Sequence, residues 1–123
     1  MSAGKVYVGI PGNLATDPAI VMVNGTPLDP APSLKLRNHS PTGFAWGYAG
    51  SGPAQLSLSI LLDYLPSEAT ALELYQLFKW AVIARLKGDA PWVLTAEQIQ
   101  HVLQCLLRDL QSTKTGSGAA DER

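Results

Sequence analysis

The stretch SGPAQLSLSILLDYLPSEATALELYQLFKWAVIARL, residues 51–86, decides the architecture. Pro53 is tolerated in the first turn of a helix, where its missing N–H has no intrahelical partner, and Ser51 is a suitable cap before it. Ala54, Leu58, Leu61, Leu62 and Leu65 then form one stripe at helical spacing, with Leu56 and Ile60 on the opposite side. A helix covered on two faces is therefore predicted. Pro66 ends it, and Ser67 caps the next. That second helix, about 68–86, carries Ala71, Tyr75, Phe78, Val82 and Leu86 at steps of four, three, four and four. Leu72, Leu74, Ala81 and Ile83 widen the stripe, which marks it as the central helix of the core. Trp80 falls away from the stripe, near Glu73, Gln76 and Lys87. It either packs under the sheet or a loop, or forms an exposed contact.

Upstream the pattern changes to short strands. KVYVGI (5–10) is β-branched and aromatic and ends at the breaker PGN. IVMV (20–23) is a continuous apolar run suited to a buried strand, and Asn24-Gly25 after it favours a two-residue hairpin turn. The returning arm TPL contains Pro27, which lacks an amide donor, so it is short or lies on an edge. After the connection DPAPS (29–33), LKLR (34–37) alternates and reads as a strand with Leu34 and Leu36 inward. Downstream, KGDAPW (87–92) reads as a loop, and Thr95 with Gln98 matches a capping box. The third helix, about 96–110, carries Ile99, Val102, Leu103, Leu106, Leu107 and Leu110 on one face, with Cys105 beside His101 and Arg108 on the polar side. Beyond Gln111 the composition cannot bury enough apolar surface, so 112–123 is expected to be a mobile tail. The expected fold is α+β: a small, mostly antiparallel N-terminal sheet of three or four short strands packed on three helices, forming one domain over 1–111.

Composition narrows the function classes. Apolar residues make up 46% and charged residues 15%, which describes a globular chain with a weakly charged surface. Such a surface favours a partner or self-association, because little repulsion keeps molecules apart. The net charge is −1, and the only local basic excesses are Lys35 with Arg37 and Lys79 with Arg85 and Lys87. The second group sits near a helix C-terminus, where cations favour the dipole. Nucleic acid is therefore not expected as a partner. Cys105 is the single cysteine, which excludes an intramolecular disulfide or a cysteine cluster for metal. No apolar run approaches eighteen residues and MSAGKVYVG has no signal-like core, so a soluble cytoplasmic protein without membrane contact is expected.

The chemistry-bearing candidates gather before the first long helix. Gly47, Gly50 and Gly52 superficially resemble a phosphate loop. The Walker pattern, however, requires Gly-Lys-Ser/Thr, and Pro53 removes one amide. A dinucleotide site needs a following parallel strand, whereas another helix follows here. Phe44, Trp46 and Tyr48 are spaced by two, so an extended segment would turn all three to one side, as a core lid or a recognition surface. The candidate binding set is His39, Phe44, Trp46, Tyr48, Gly50, Ser51, Gly52 and Gln55, with Trp80 as a further contact. His39 could serve catalysis with Ser40, Ser51 or Asp63 only if the fold gathers them, and no spacing demands it. No catalytic residue is assigned. His39 and His101 lack metal-ligand spacing, so neither metal nor cofactor is expected. Asp63, Glu68 and Glu73 read as the solvated edge of two helices.

The words NHSPTGF, WGYAGSGPAQL, YQLFKWAVIARL and W-x-L-T, spread over most of residues 5–100, resemble a family of uncharacterised bacterial, plasmid and phage proteins, a domain of unknown function. The resembled family often carries an acidic residue where this chain has Ala45, and the resemblance implies that any role of that carboxylate is absent here. The resemblance further implies an accessory protein of a mobile genetic element. The expected function is accordingly a non-enzymatic protein-interaction module with a protein partner. The alternative is a small-ligand or nucleotide-binding protein, or an enzyme, that uses the glycine-rich helix N-terminus at 50–53. A homodimer seamed by Ile99, Leu103, Leu106 and Leu110 is a third expectation.

Overall fold

The computed structural model describes residues 4–12, 19–40 and 43–115. In chain order they form β1 (Val6–Ile10), β2 (Ile20–Val23), β3 (Thr26–Pro27), α1 (Ala31–Leu36), α2 (Ser51–Tyr64), α3 (Glu68–Ala81), a 3-10 turn (Ile83–Arg85), β4 (Trp92–Thr95) and α4 (Ala96–Thr115). The strands make one antiparallel sheet in the order β3-β2-β1-β4. The fold is α+β.

Local chemistry accounts for most boundaries. Asn24 and Gly25 take φ of 49° and 83°, the mirror-image turn that suits the twist of the β2–β3 hairpin. Ser67 caps α3 by accepting from the Thr70 N–H at 3.1 Å. Thr95 and Gln98 form the expected box: the Thr95 N–H donates to Gln98 Oε1 at 2.9 Å, and the Gln98 N–H donates to Thr95 Oγ1 at 3.1 Å.

Several elements differ from the expectation. Residues 34–37 are not a strand, since Ala31–Leu36 is a short helix. Asp29 Oδ1 accepts the Ala31 N–H at 2.9 Å, and Pro32 in the first turn already has helical φ, which outweighs a four-residue alternation. The fourth strand is Trp92–Thr95 instead, pairing with β1. The central helix is α2, not α3: every residue from Gly52 to Leu61 is buried. Its serines and glutamine look like a polar face in sequence, but they are hydrogen-bonded inside the protein. Ser57 Oγ donates to the Tyr75 carbonyl at 2.6 Å, and Ser59 Oγ lies 2.6 Å from Ser33 Oγ. Each of Leu56, Leu58, Ile60 and Leu61 is fully enclosed, a gain of about 1.5–3 kcal/mol per side chain.

Finally, α3 stops at Ala81, because Val82 leaves helical geometry at φ −127°. The last helix runs to Thr115, through part of the segment expected to be mobile. The remainder of that expectation, 116–123, lies outside the described residues.

The inner face of the sheet, including Tyr7, Val21, Trp92 and Leu94, joins the helices in one apolar core. The outer face is open. Ile10, Ile20 and Val93 are exposed there, beside half-buried Val8 and Met22. IVMV, read as suited to a buried strand, is buried only at Val21, with Ile20 exposed and Met22 and Val23 half-buried.

Candidate functional site

Gly47 organises the aromatic loop. Its φ is +92° and its N–H donates to the Ile83 carbonyl at 3.0 Å. A Cβ at that position would lie 2.7 Å from Gly88 Cα, so only glycine lets the two backbones cross. This turn breaks the extended geometry that would align the three rings. Phe44 is half-buried and Trp46 is buried, while Tyr48 is 54% exposed. Trp46 meets Trp92 edge to face at 5.5 Å between centroids, a geometry the ring quadrupoles favour. Neither indole N–H has an acceptor among the described residues.

The glycine-rich start of α2 is packed rather than open. Gly50, not Ser51, occupies the cap position, and no side chain caps the helix. A Cβ on Gly50 would stand 2.6 Å from the Tyr48 ring, and one on Gly52 2.7 Å from the Ala45 side chain. The missing side chains make room for Ala45 and Tyr48, which lie over the first turn where a phosphate would approach. Gly52 and Pro53 are buried and Ser51 is exposed.

Gln55 and His39 belong to a structural network. Gln55 is fully buried. Its Oε1 accepts the His39 and Ser40 backbone N–H groups at 2.6 and 2.9 Å, and its Nε2 donates to Ser33 Oγ and the Arg37 carbonyl, each at 2.9 Å. His39 Nε2 lies 2.7 Å from Tyr75 Oη. Ser40 Oγ donates to the Gly43 carbonyl at 2.9 Å. Among the described residues, His39 Nε2 thus pairs with a tyrosine and Ser40 Oγ with a backbone carbonyl rather than with each other.

Asp63 is also engaged, and it is not the solvated edge expected from sequence. Its Oδ2 accepts from Lys5 Nζ at 2.8 Å and from Tyr7 Oη at 2.6 Å, tying β1 to α2. Burial, then the adjacent carboxylate that accepts its O–H, push the Tyr7 phenol far above its ordinary range. Cys105 Sγ lies 4.0 Å from His101 Nε2 on α4. Among the described residues no group of three or more His, Cys, Asp or Glu could hold a metal ion. No described helix is long and apolar enough to cross a membrane.

Among the exposed apolar surfaces of the described residues is a groove of about 560 Å³. Tyr48 and Ala49 line it from the loop, Leu77, Trp80 and Ala81 from α3, Ala84 and Arg85 from the 3-10 turn, and Leu106 from α4. Trp80 is 60% exposed and Leu77 37%. Lys79 Nζ sits 5.1 Å from the Trp80 ring centroid and braces it. Of the residues singled out from sequence, Tyr48 and Trp80 meet here, while His39, Trp46 and Gln55 lie in the interior or its margin. Leu77 is not singled out from sequence, Arg85 reads there only as part of a local basic excess, and Leu106 only as part of the seam on the last helix. An outward Leu77 three residues before Trp80 was the available signal. Of the seam expected on the last helix, Ile99 and Leu103 are buried in the core, while Leu106 and Leu110 are half-buried.

The model of a family of unknown function, DUF6166, matches residues 11–105, and the chain belongs to that family. No curated protein and no solved structure matches it.

Proposed function

We propose that this member of the family is a non-enzymatic protein-interaction module, an accessory protein of a mobile genetic element, whose contact surface is the Tyr48–Trp80 groove. One observation carries the reading: two large aromatic rings stand more than half exposed on the rim of the same largely apolar concavity, to which Arg85 adds a charge. Exposed tryptophan and tyrosine over an apolar floor are what binding hot spots are made of, since they bring large area at little rotamer cost. The groups that could have served chemistry are meanwhile committed to internal hydrogen bonds: His39 to Tyr75, and Asp63 to Lys5 and Tyr7. The mobile-element setting comes from the sequence resemblance alone.

Photo-crosslinking tests the groove. A benzophenone amino acid at position 48 is expected to give a discrete protein adduct in cells, and Trp80→Ala is expected to abolish it. No adduct, or one indifferent to Trp80→Ala, would refute the assignment.

A further inference from the structure

The groove also carries information about its occupant. The exposed line along α3 runs Glu73, Leu77 and Trp80, continued past half-buried Ala84 by exposed Arg85 in the following turn. An acid stands two turns before Trp80, and a base stands just beyond the helix end. Neither has an ion-pair partner among the described residues, whose salt bridges are Lys5–Asp63 and Lys87–Asp89. A line that is acidic at one end, apolar in the middle and basic at the other complements itself when turned end for end. We infer that the occupant is a second copy of this chain, docked with its α3 antiparallel about a two-fold axis near Trp80. This deepens, and rests on, the interaction reading above.

The two-fold places Glu73 of each copy beside Arg85 of the other, so the pairing is made twice. Leu77 and Trp80 of one copy then face Trp80 and Leu77 of its mate. Trp80 enters the opposing groove with one side of its ring already braced by Lys79. The net charge of −1 leaves little long-range repulsion between copies.

Sedimentation of the full chain from micromolar to millimolar concentration tests the inference. The mass is expected to rise from 13.1 kDa toward twice that value. Glu73→Arg and Arg85→Glu should each weaken association about tenfold, because each reversal turns two attractions into repulsions. The double reversal E73R/R85E should restore it. Trp80→Ala should cost about thirtyfold or more. All these positions are exposed, so folding is preserved, and an unchanged melting temperature at concentrations where the chain is monomeric confirms it. A chain monomeric throughout overturns self-pairing, as does a dimer indifferent to the charge reversals or one that the double reversal leaves broken. The position-48 crosslink separates the two readings. An adduct of twice the chain mass supports both, one to a different protein keeps the module and sinks the self-pairing, and none sinks both.

Discussion

Replacing Gln55 by methionine measures how much a buried amide contributes to an otherwise apolar helix. Methionine nearly matches glutamine in length and volume, so the cavity contribution is small. What is lost is hydrogen bonding. Four partners surround the amide: the His39 and Ser40 N–H groups, Ser33 Oγ and the Arg37 carbonyl. Two of them recover at low cost. Ser33 Oγ still donates to the Pro30 carbonyl and still meets Ser59, and Arg37 is exposed, so its carbonyl turns to water. The other two are half-buried N–H groups left without an acceptor, each costing about 1–2 kcal/mol after partial access to water. The expected loss is thus about 2–4 kcal/mol. Urea unfolding reads it as a lower midpoint at constant slope, and hydrogen exchange should show the His39 and Ser40 amides deprotected first. A loss below about 1 kcal/mol, with both amides still protected, would mean that residues 37–40 are held by something other than Gln55.

Three further outcomes are expected. Asp63→Ala leaves Lys5 and the Tyr7 hydroxyl without their shared acceptor and should cost about 2 kcal/mol in chemical denaturation. The raised Tyr7 pKa adds a pH signature. Its stabilising contribution is complete below the ordinary value near 10 and is lost as pH climbs above it, so Tyr7→Phe should flatten the alkaline decline in stability. Gly47→Ala forces a left-handed backbone onto alanine and drives its Cβ against Gly88; a loss of about 2 kcal/mol or more is expected by thermal melting. Thr95→Ala removes half of the capping box and should cost about 1 kcal/mol, with fraying at the start of α4 seen by amide exchange.

Features written within a few residues were legible in the sequence. Asn24-Gly25, Ser67 and the Thr95–Gln98 pair each act on their own backbone, so their chemistry does not depend on the rest of the fold. The α1 segment misled because Leu34 and Leu36 alternate over only four residues, whereas Asp29 and Pro32 set the backbone just ahead of them. Strand β4 stayed hidden because its partner strand lies at the far end of the chain. The status of α2 depended on where Ser33, Arg37 and Tyr75 end up, which no periodicity records. The binding surface was half legible for the same reason. Tyr48 and Trp80 declared themselves as aromatic, but they become neighbours only when Gly47 turns the loop and its N–H reaches Ile83.

The antiparallel partnership of β1 with β4 has a consequence for how the chain is made. Val6 meets Thr95 and Gly9 meets Trp92, more than eighty positions apart. At a synthesis rate of about 5–20 residues per second, β1 waits several seconds after leaving the ribosome before its second neighbour exists. During that interval the β1–β2–β3 ribbon presents an unpaired, valine-rich edge, which is a template for pairing with another nascent chain. Pairing of Trp92–Thr95 covers that edge, and the same strand runs directly into the capped helix α4. The last third of the sequence therefore supplies the strand that covers the open edge of the first.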